Sequence, residues 1–244
     1  MGRTAVGTLL FVGLALTAIT VWPDFSRRPE GMIHDRPFYA HKQNSTPLRI
    51  VVFGTSISAR AEWPDALASA LQNCGLVSVQ VLRNVKAGAN SSWGLSQAEW
   101  LGQQNPDLVI VEFAINDADI LDGLSLGDSR RNHDEIIRIL QERAPNTAIM
   151  LLSTNPVTGL ARLKRPFLSR YYDAYGAISD ETNIGMIDGY GRWMRLQGWY
   201  ADMPDGVHPL PDVDAQVLTL PIARAIATGF GATCPTDVGH APTD

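Results

Sequence analysis

The chain has 244 residues, 45% hydrophobic and 18% charged, which is enough apolar surface for one substantial core and excludes disorder, collagen and coiled coil as the main architecture. Its 20 basic against 25 acidic side chains leave a net charge of -5, the wrong sign for a nucleic-acid-binding surface. Two cysteines, Cys74 and Cys234, are too few for a disulfide scaffold or a thiolate zinc site.

Arg3 precedes an uncharged run over residues 5–22, close to the length that a tilted helix needs to cross a bilayer. Only Thr and Gly interrupt it and no polar face recurs, so residues 1–22 read as a signal peptide or N-terminal membrane anchor. The body is then expected outside the cytoplasm, periplasmic or secreted and possibly tethered. The small-x-small pattern at Gly13-Leu14-Ala15 would leave a short apolar region if cleaved. An uncleaved anchor is favoured and a cleaved signal stays open. Residues 23–47 turn to Pro, Arg, His and other polar types with no period and read as a linker. In an oxidising compartment, Cys74 after the first helix of the body and Cys234 after the last would join if those helices pack side by side. Two free thiols are the alternative.

The body, residues 48–230, alternates apolar runs with amphipathic stretches, and residues 231–244 form a C-terminal tail. Strands are expected at 48–54 (LRIVVFG), 77–82, 108–113 (LVIVEF), 148–152 and 184–187. Most are continuously apolar, as strands covered on both faces are. The second alternates instead, as an edge strand would. Helices are expected at 61–73, 95–104, 129–143, 166–182 and 212–229, the last ended by Gly229 and Gly231. Strand–helix alternation implies one α/β domain with a parallel five-stranded sheet, whose ligands sit beyond the carboxyl ends of the strands.

Those ends carry the polar residues. Gly54-Thr55-Ser56-Ile57-Ser58 follows the first strand, Lys86-Ala87-Gly88-Ala89-Asn90 the second, and Ala114-Ile115-Asn116-Asp117 the third. Asp205-Gly206-Val207-His208-Pro209 follows the fifth. Taken singly each has a structural explanation: a helix cap for Ser56, a turn for Asn116-Asp117, a loop closure for Asp205 and His208. Their joint occurrence in this order points to a site.

Over about residues 48–230 the sequence resembles the SGNH (GDSL-type) hydrolase family, whose four blocks supply Ser, Gly, Asn and His. Ser56, Gly88, Asn116 and His208 match them in order, and Asp205 matches the triad aspartate. The resemblance implies a three-layer α/β/α, flavodoxin-like fold and hydrolysis of esters of lipids, sugars or small acyl groups. Two blocks depart from the commoner pattern: Gly-Thr-Ser replaces Gly-Asp-Ser, and Ala114 stands where Gly is usual. Neither removes a catalytic group. The alternative nucleophile elbow, Gly-x-Ser-x-Gly, is disfavoured because position 58 is Ser58.

The chemistry fits these residue types. An alcohol needs a base to become a nucleophile; His208 would take the Ser56 proton and return it to the leaving group, with Asp205 holding the ring. Backbone N–H groups of Ser56 and Gly88 and the Asn116 amide would stabilise the oxyanion, and glycine at 88 would leave the acyl group room. Trp93, Asn90 and Trp199 are candidate substrate contacts, with core packing the alternative for Trp93 and Trp199. Trp193 is assigned to the core before the pocket wall. His133, in a helix rich in Arg and Glu, is expected at the surface. No grouping has metal-ligand spacing and no phosphate loop is present, so no metal, nucleotide or other cofactor is expected. The expected substrate is a small acyl ester, most readily O-acetyl on an extracytoplasmic saccharide. A lipid esterase, thioesterase or lysophospholipase, an O-acyltransferase and a catalytically silent carbohydrate-binding domain are the alternatives.

Overall fold

The computed structural model describes residues 32–40 and 46–235; the expected signal or anchor at 1–22 lies outside these. Among the described residues no helix is long and apolar enough to cross a membrane.

The order of elements is β1 (Leu48–Gly54), α1 (Ser56–Arg60), α2 (Trp63–Asn73), β2 (Val79–Val85), α3 (Ser91–Gln103), β3 (Leu108–Glu112), α4 (Ala114–Asp117), α5 (Leu126–Arg143) and β4 (Ala148–Ser153). Then come α6 (Gly159–Lys164), α7 (Leu168–Thr182), β5 (Gly185–Asp188), α8 (Gly189–Arg195), a 3₁₀ turn (Trp199–Asp202) and α9 (Pro211–Gly229). All five strands pair in parallel in the order β2-β1-β3-β4-β5. The parallel five-stranded sheet is the one that the strand–helix alternation implies, and its order is the flavodoxin-like one that the family resemblance implies.

Strand side chains alternate faces, and the core divides accordingly. Val51, Phe53, Val109, Val111, Ile149 and Leu151 meet apolar residues of α3, α5 and α7 on one face. Ile50, Val52, Leu108, Ile110, Met150 and Leu152 meet α2 and α9 on the other. Three layers result. β2 lies at one edge and buries only part of its length, as its alternating sequence implies. It starts at Val79 rather than 77 because Val77 stands clear of the core, 87% exposed.

The stretch read as the first helix of the body divides. α1 ends at Arg60, Ala61 is extended, and α2 begins at Trp63 with Pro64 in its first turn, where a missing N–H is harmless. Ser56 thereby opens a short helix of its own. α3 starts earlier than periodicity implies because the Asn90 side chain caps it, accepting from the N–H groups of Ser92 and Trp93.

Two expectations about chain ends meet firmer outcomes. Residues 32–40, assigned to a linker, lie along the body. Arg36 exchanges backbone hydrogen bonds with Met186 of β5, at 2.8 and 2.9 Å. The N–H of His34 donates to Asp188, and Asp35 accepts from Arg192. Phe38 is buried in the core shared by α2 and α9. An aperiodic sequence hid this because the segment follows a sheet edge and forms no helix or strand of its own. At the other end, α2 and α9 pack on the same face and a disulfide joins Cys74, the C-cap of α2, to Cys234.

The disulfide closes a loop spanning 160 positions and restricts the unfolded chain accordingly. Cys234→Ser should lower the unfolding free energy by about 2–5 kcal/mol, read from urea titrations followed by tryptophan fluorescence. An unchanged midpoint would mean that other contacts hold the tail.

Candidate active site

The turn after β1 is set by Thr55, Ser56 and a carboxylate beneath them. Thr55 is the N-cap of α1, its hydroxyl accepting from the N–H of Ile57 at 3.1 Å. The same hydroxyl donates to the buried carboxylate of Glu112 at the end of β3, 3.0 Å away. Glu112 also accepts from the backbone N–H of Thr55 at 2.7 Å and of Ser58 at 3.3 Å. Gly54 is required there: a Cβ would lie 2.4 Å from Glu112 Oε1. These contacts give a physical reason for the Gly-Thr-Ser departure, since an aspartate at position 55 would set a second carboxylate against Glu112, whereas threonine supplies a donor.

Ser56 is almost buried, with 9% exposure, and its Oγ lies 2.8 Å from Nε2 of His208. The other ring nitrogen, Nδ1, is 2.7 Å from Asp205 Oδ2. A carboxylate only accepts, so Nδ1 carries the proton and Nε2 is left to accept from the Ser56 hydroxyl. The spacing of Asp205 and His208 follows from one tight turn: Asp205 Oδ1 accepts from the backbone N–H of Val207 at 2.9 Å and of His208 at 2.7 Å. Burial raises the Asp205 pKa, but the N–H groups of His208 and Val207 and the imidazole outweigh it and hold the carboxyl down at about 2.

Three further residues that sequence reasoning did not single out steady this pair. Asn155, fully buried just after β4, donates to the carbonyl of Val207 at 2.7 Å, and the Thr158 N–H donates to the carbonyl of Gly206 at 2.8 Å. Both anchor the Asp205–His208 turn to the segment just beyond β4, an interior strand. Arg60, exposed at the end of α1, reaches within 3.2 Å of His208 Nδ1 and 3.6 Å of Asp205 Oδ2. Because arginine only donates and the Nδ1 hydrogen already goes to Asp205, the carboxylate is its useful partner. The signal for Asn155 is its place: an Asn-Pro pair directly beyond the fourth strand. Arg60 carries no such mark.

Gly88 has φ +71, and a Cβ there would meet open space. Glycine at 88 is therefore a conformational requirement. Asn116, half-buried in α4, donates from Nδ2 to the carbonyl of Ala89 at 2.8 Å, linking the Gly88 loop to the third block. α4 is itself held from below. The Tyr175 hydroxyl accepts from the N–H groups of Phe113 and Ala114, at 2.9 and 3.0 Å, satisfying donors that have no partner within the helix. The Tyr175 hydroxyl in turn donates to His133 Nε2 at 2.9 Å, while His133 Nδ1–H donates to the carbonyl of Ser129. His133 is thus a buried neutral strut, and the expectation of surface exposure is wrong. Burial lowers its pKa, against the pull of Asp117. Asp117 ties the block outward, accepting from the Ser91 N–H at 2.7 Å and the Ser129 hydroxyl at 2.5 Å.

The candidate substrate contacts divide. The Asn90 side-chain oxygen is committed to capping α3. Trp93 is half-buried, with ring centroids 5.7 Å from Phe53 and 6.0 Å from Phe113, and Lys86 Nζ lies 5.9 Å above it. Trp193 belongs to the core, fully buried, its Nε1 donating to Asp214. Trp199 is half-buried and with Tyr200, Val157 and Thr158 lines an open groove of about 650 Å³ beside the His208 turn. Among the described residues, no three His, Cys, Asp or Glu side chains gather into a metal cage.

Similarity to known proteins extends over most of the chain. A model of the GDSL-like lipase/acylhydrolase family matches residues 52–213. A GDSL esterase/lipase of Arabidopsis thaliana is 27% identical over 217 residues, covering 75% of this chain and 88% of its own. The structure of a lipase/acylhydrolase from Enterococcus faecalis superposes with a TM-score of 0.66 at 20% identity, covering 78% of this chain and 100% of that one. An acetylxylan esterase from Geobacillus stearothermophilus gives 0.62 at 17% identity, covering 78% and 96%.

Burial pushes the Glu112 carboxyl up to about 7, against the donors of Thr55 and Ser58, and burial likewise raises Asp214 to about 7. Between pH 4.5 and about 7 each of these carboxyls therefore keeps a proton in the folded chain that it loses in the unfolded one, a contribution to stability that is lost as pH rises through that window, while His133, held neutral by burial, contributes the opposite slope. Glu112→Gln should flatten this slope, with the contribution of Asp214 remaining. Urea titrations at several pH values would test it, and a slope equal to that of the wild type would overturn the assignment.

Proposed function

Because this chain belongs to the GDSL-like lipase/acylhydrolase family and is an ester-hydrolysing enzyme, we propose that Ser56, His208 and Asp205 are its catalytic triad and that the reaction passes through an acyl-Ser56 intermediate. The observation that carries this is the pair of hydrogen bonds on one imidazole, 2.8 Å to Ser56 Oγ and 2.7 Å to Asp205 Oδ2. Ser56 Oγ attacks the ester carbonyl as its proton passes to His208 Nε2, and the nearby Asp205 carboxylate stabilises the imidazolium. The carbonyl oxygen becomes an oxyanion. Ser56 begins α1, so its N–H is among the first-turn donors without an intrahelical acceptor. That N–H, the Gly88 N–H and the second Nδ2 hydrogen of Asn116, the first being engaged by Ala89, make the oxyanion hole in this reading. Collapse expels the alcohol, which takes the proton from His208. Water then attacks the acyl carbon as it gives a proton to His208, and collapse of this second intermediate breaks the bond to Ser56 Oγ, which takes the proton back from His208 as the acid leaves.

The substrate we propose is an O-acetyl group on a saccharide outside the cytoplasm. The open space beside Gly88 suits a small acyl group, and the Trp199 and Tyr200 groove offers aromatic faces to a sugar. The Geobacillus stearothermophilus protein of like fold is an acetylxylan esterase. The Cys74–Cys234 disulfide supports an oxidising compartment, in keeping with the uncharged run at 5–22 as an export signal or tether. Lipid esters are the second reading, favoured by exposed leucines around the mouth, among them Leu160 at 78% and Leu163 at 58%.

Ser56→Ala should abolish hydrolysis of p-nitrophenyl acetate by the purified chain; equal rates for the two proteins would sink the triad. Asn116→Ala should keep KM near that of the wild type and reduce kcat by about 10²–10³. A change confined to KM would instead place Asn116 in ground-state binding.

A further inference from the structure

Five exposed apolar side chains gather where the sheet opens. Ile120 and Leu121 follow α4, and Leu160, Leu163 and Phe167 lie in or just after α6; their exposures run from 49 to 78%. They form one continuous rim. The Ile120 N–H donates to the carbonyl of Lys164 at 2.8 Å, and Arg165, at the end of α6, donates to the carbonyl of Ile115 and pairs with Asp119. α6 buries only Ala161, so its two leucines, three apart and on one side of the helix, face outward without a partner in the fold. A monomer gains nothing from an apolar rim left in water, and such patches mark surfaces that meet something else.

Charge indicates what that is. Residues 159–173 contain Arg162, Lys164, Arg165 and Arg170 against one acidic residue, Asp173, although the whole chain has a net charge of -5. Arg170 sits over the Phe167 ring at 5.3 Å, bringing a cation next to the apolar side chain. Facing them on the adjacent loop are Asp119, already paired with Arg165, and Asp122. Exposed leucines and a phenylalanine interleaved with basic residues match a surface of acyl chains beneath anionic headgroups.

The direction of the chain agrees. Residues 32–36 run antiparallel to β5, with His34 against Asp188 at its carboxyl end. Whatever precedes Met32 therefore leaves from the same edge of the sheet that bears Ser56, Asn116 and His208. Nine residues lie between positions 22 and 32, so the ten steps from one to the other span at most about 35 Å. A span at 5–22 would hold that edge close to the bilayer.

We propose that the rim formed by Ile120, Leu121, Leu160, Leu163 and Phe167 docks on an anionic lipid surface and turns the mouth of the active site towards it, so that the enzyme reaches esters, O-acetyl saccharides included, that are borne by membrane-embedded molecules. The substrate part of this inference rests on the acyl-Ser56 reading above; the docking part does not.

The experiment uses the full chain with vesicles of phosphatidylcholine alone or with about a third phosphatidylglycerol. Hydrogen exchange over 118–124 and 159–170 should slow in the anionic vesicles, relative to the neutral ones, and recover in 0.5 M salt. Equal exchange in the two vesicle types overturns the proposal. So does protection that persists in neutral vesicles and at high salt, which would assign the rim to another part of this chain, to a second copy or to a protein partner. In the activity arm, Leu160→Glu with Leu163→Glu should cut the rate on a fluorogenic long-chain ester dissolved in anionic vesicles at least tenfold and leave p-nitrophenyl acetate unchanged. An unchanged rate on both substrates overturns the docking. If the double glutamate variant is unfolded by its melting curve, the milder Leu160→Ser with Leu163→Ser carries the same comparison. Loss of wild-type activity on both esters would sink the acyl-Ser56 reading, and the exchange measurement would still decide the docking.

Discussion

One hydrogen bond, between Ser56 Oγ and His208 Nε2, ties together positions 152 residues apart, and much of the architecture is arranged around keeping it. Ser56 follows an interior strand, since β1 has neighbours on both sides. His208 arrives on a turn after β5, at the far edge. The gap between them is closed from the middle. Asn155 and Thr158, just beyond β4, hold the carbonyls of Val207 and Gly206, carrying the imidazole inward. A parallel sheet suits this because every strand delivers its next residues to the same side. An enzyme needs its reacting atoms placed to within a fraction of an ångström, and here each flanking turn is fastened by buried hydrogen bonds rather than by apolar contact alone.

What sequence pattern conveys and what it conceals divide along physical lines. Strands covered on both faces must be apolar throughout, so four of the five announce themselves, and the carboxyl-end rule then points to Ser56, Gly88, Asn116 and His208. Asn155 follows the same rule but lacks a familiar chemical partner in the sequence. Glu112 escaped notice because one charge inside an apolar strand reads as an interruption; its meaning depends on Thr55 and Ser58 lying directly above it. His133 was misjudged from the charged residues beside it. The helical period places it with Ile136, Ile137 and Leu140, all buried, and that spacing was the better guide. Residues 32–40 were beyond any periodic reading, since their conformation is set by the edge of β5 and not by their own composition.

The ground beneath the active site is electrostatically unusual. Glu112 and Asp214 are both buried and both have raised pKa values, burial being the main cause and the charge of Glu112 adding to the effect at Asp214. Asp214 Oδ2 has no partner among the described residues. Interiors tolerate carboxyl groups when donors are supplied or when they take up a proton, and the two residues illustrate each route. Glu112 gathers donors from the turn that bears Ser56. That turn keeps its shape through a polar contact whose strength depends on proton occupancy, while Asp205, surrounded by N–H groups, stays ionised far into acid.

The pairing of Arg36 with Met186 bears on where a soluble fragment of this enzyme can begin. A truncation starting at Leu48, the first residue of β1, would strip the outer side of β5 and expose backbone groups that a neighbouring molecule could add to as a strand. It would also empty the seat of Phe38. The practical boundary for crystallisation or expression lies before Met32, and fragments cut later are expected to self-associate through that bare edge.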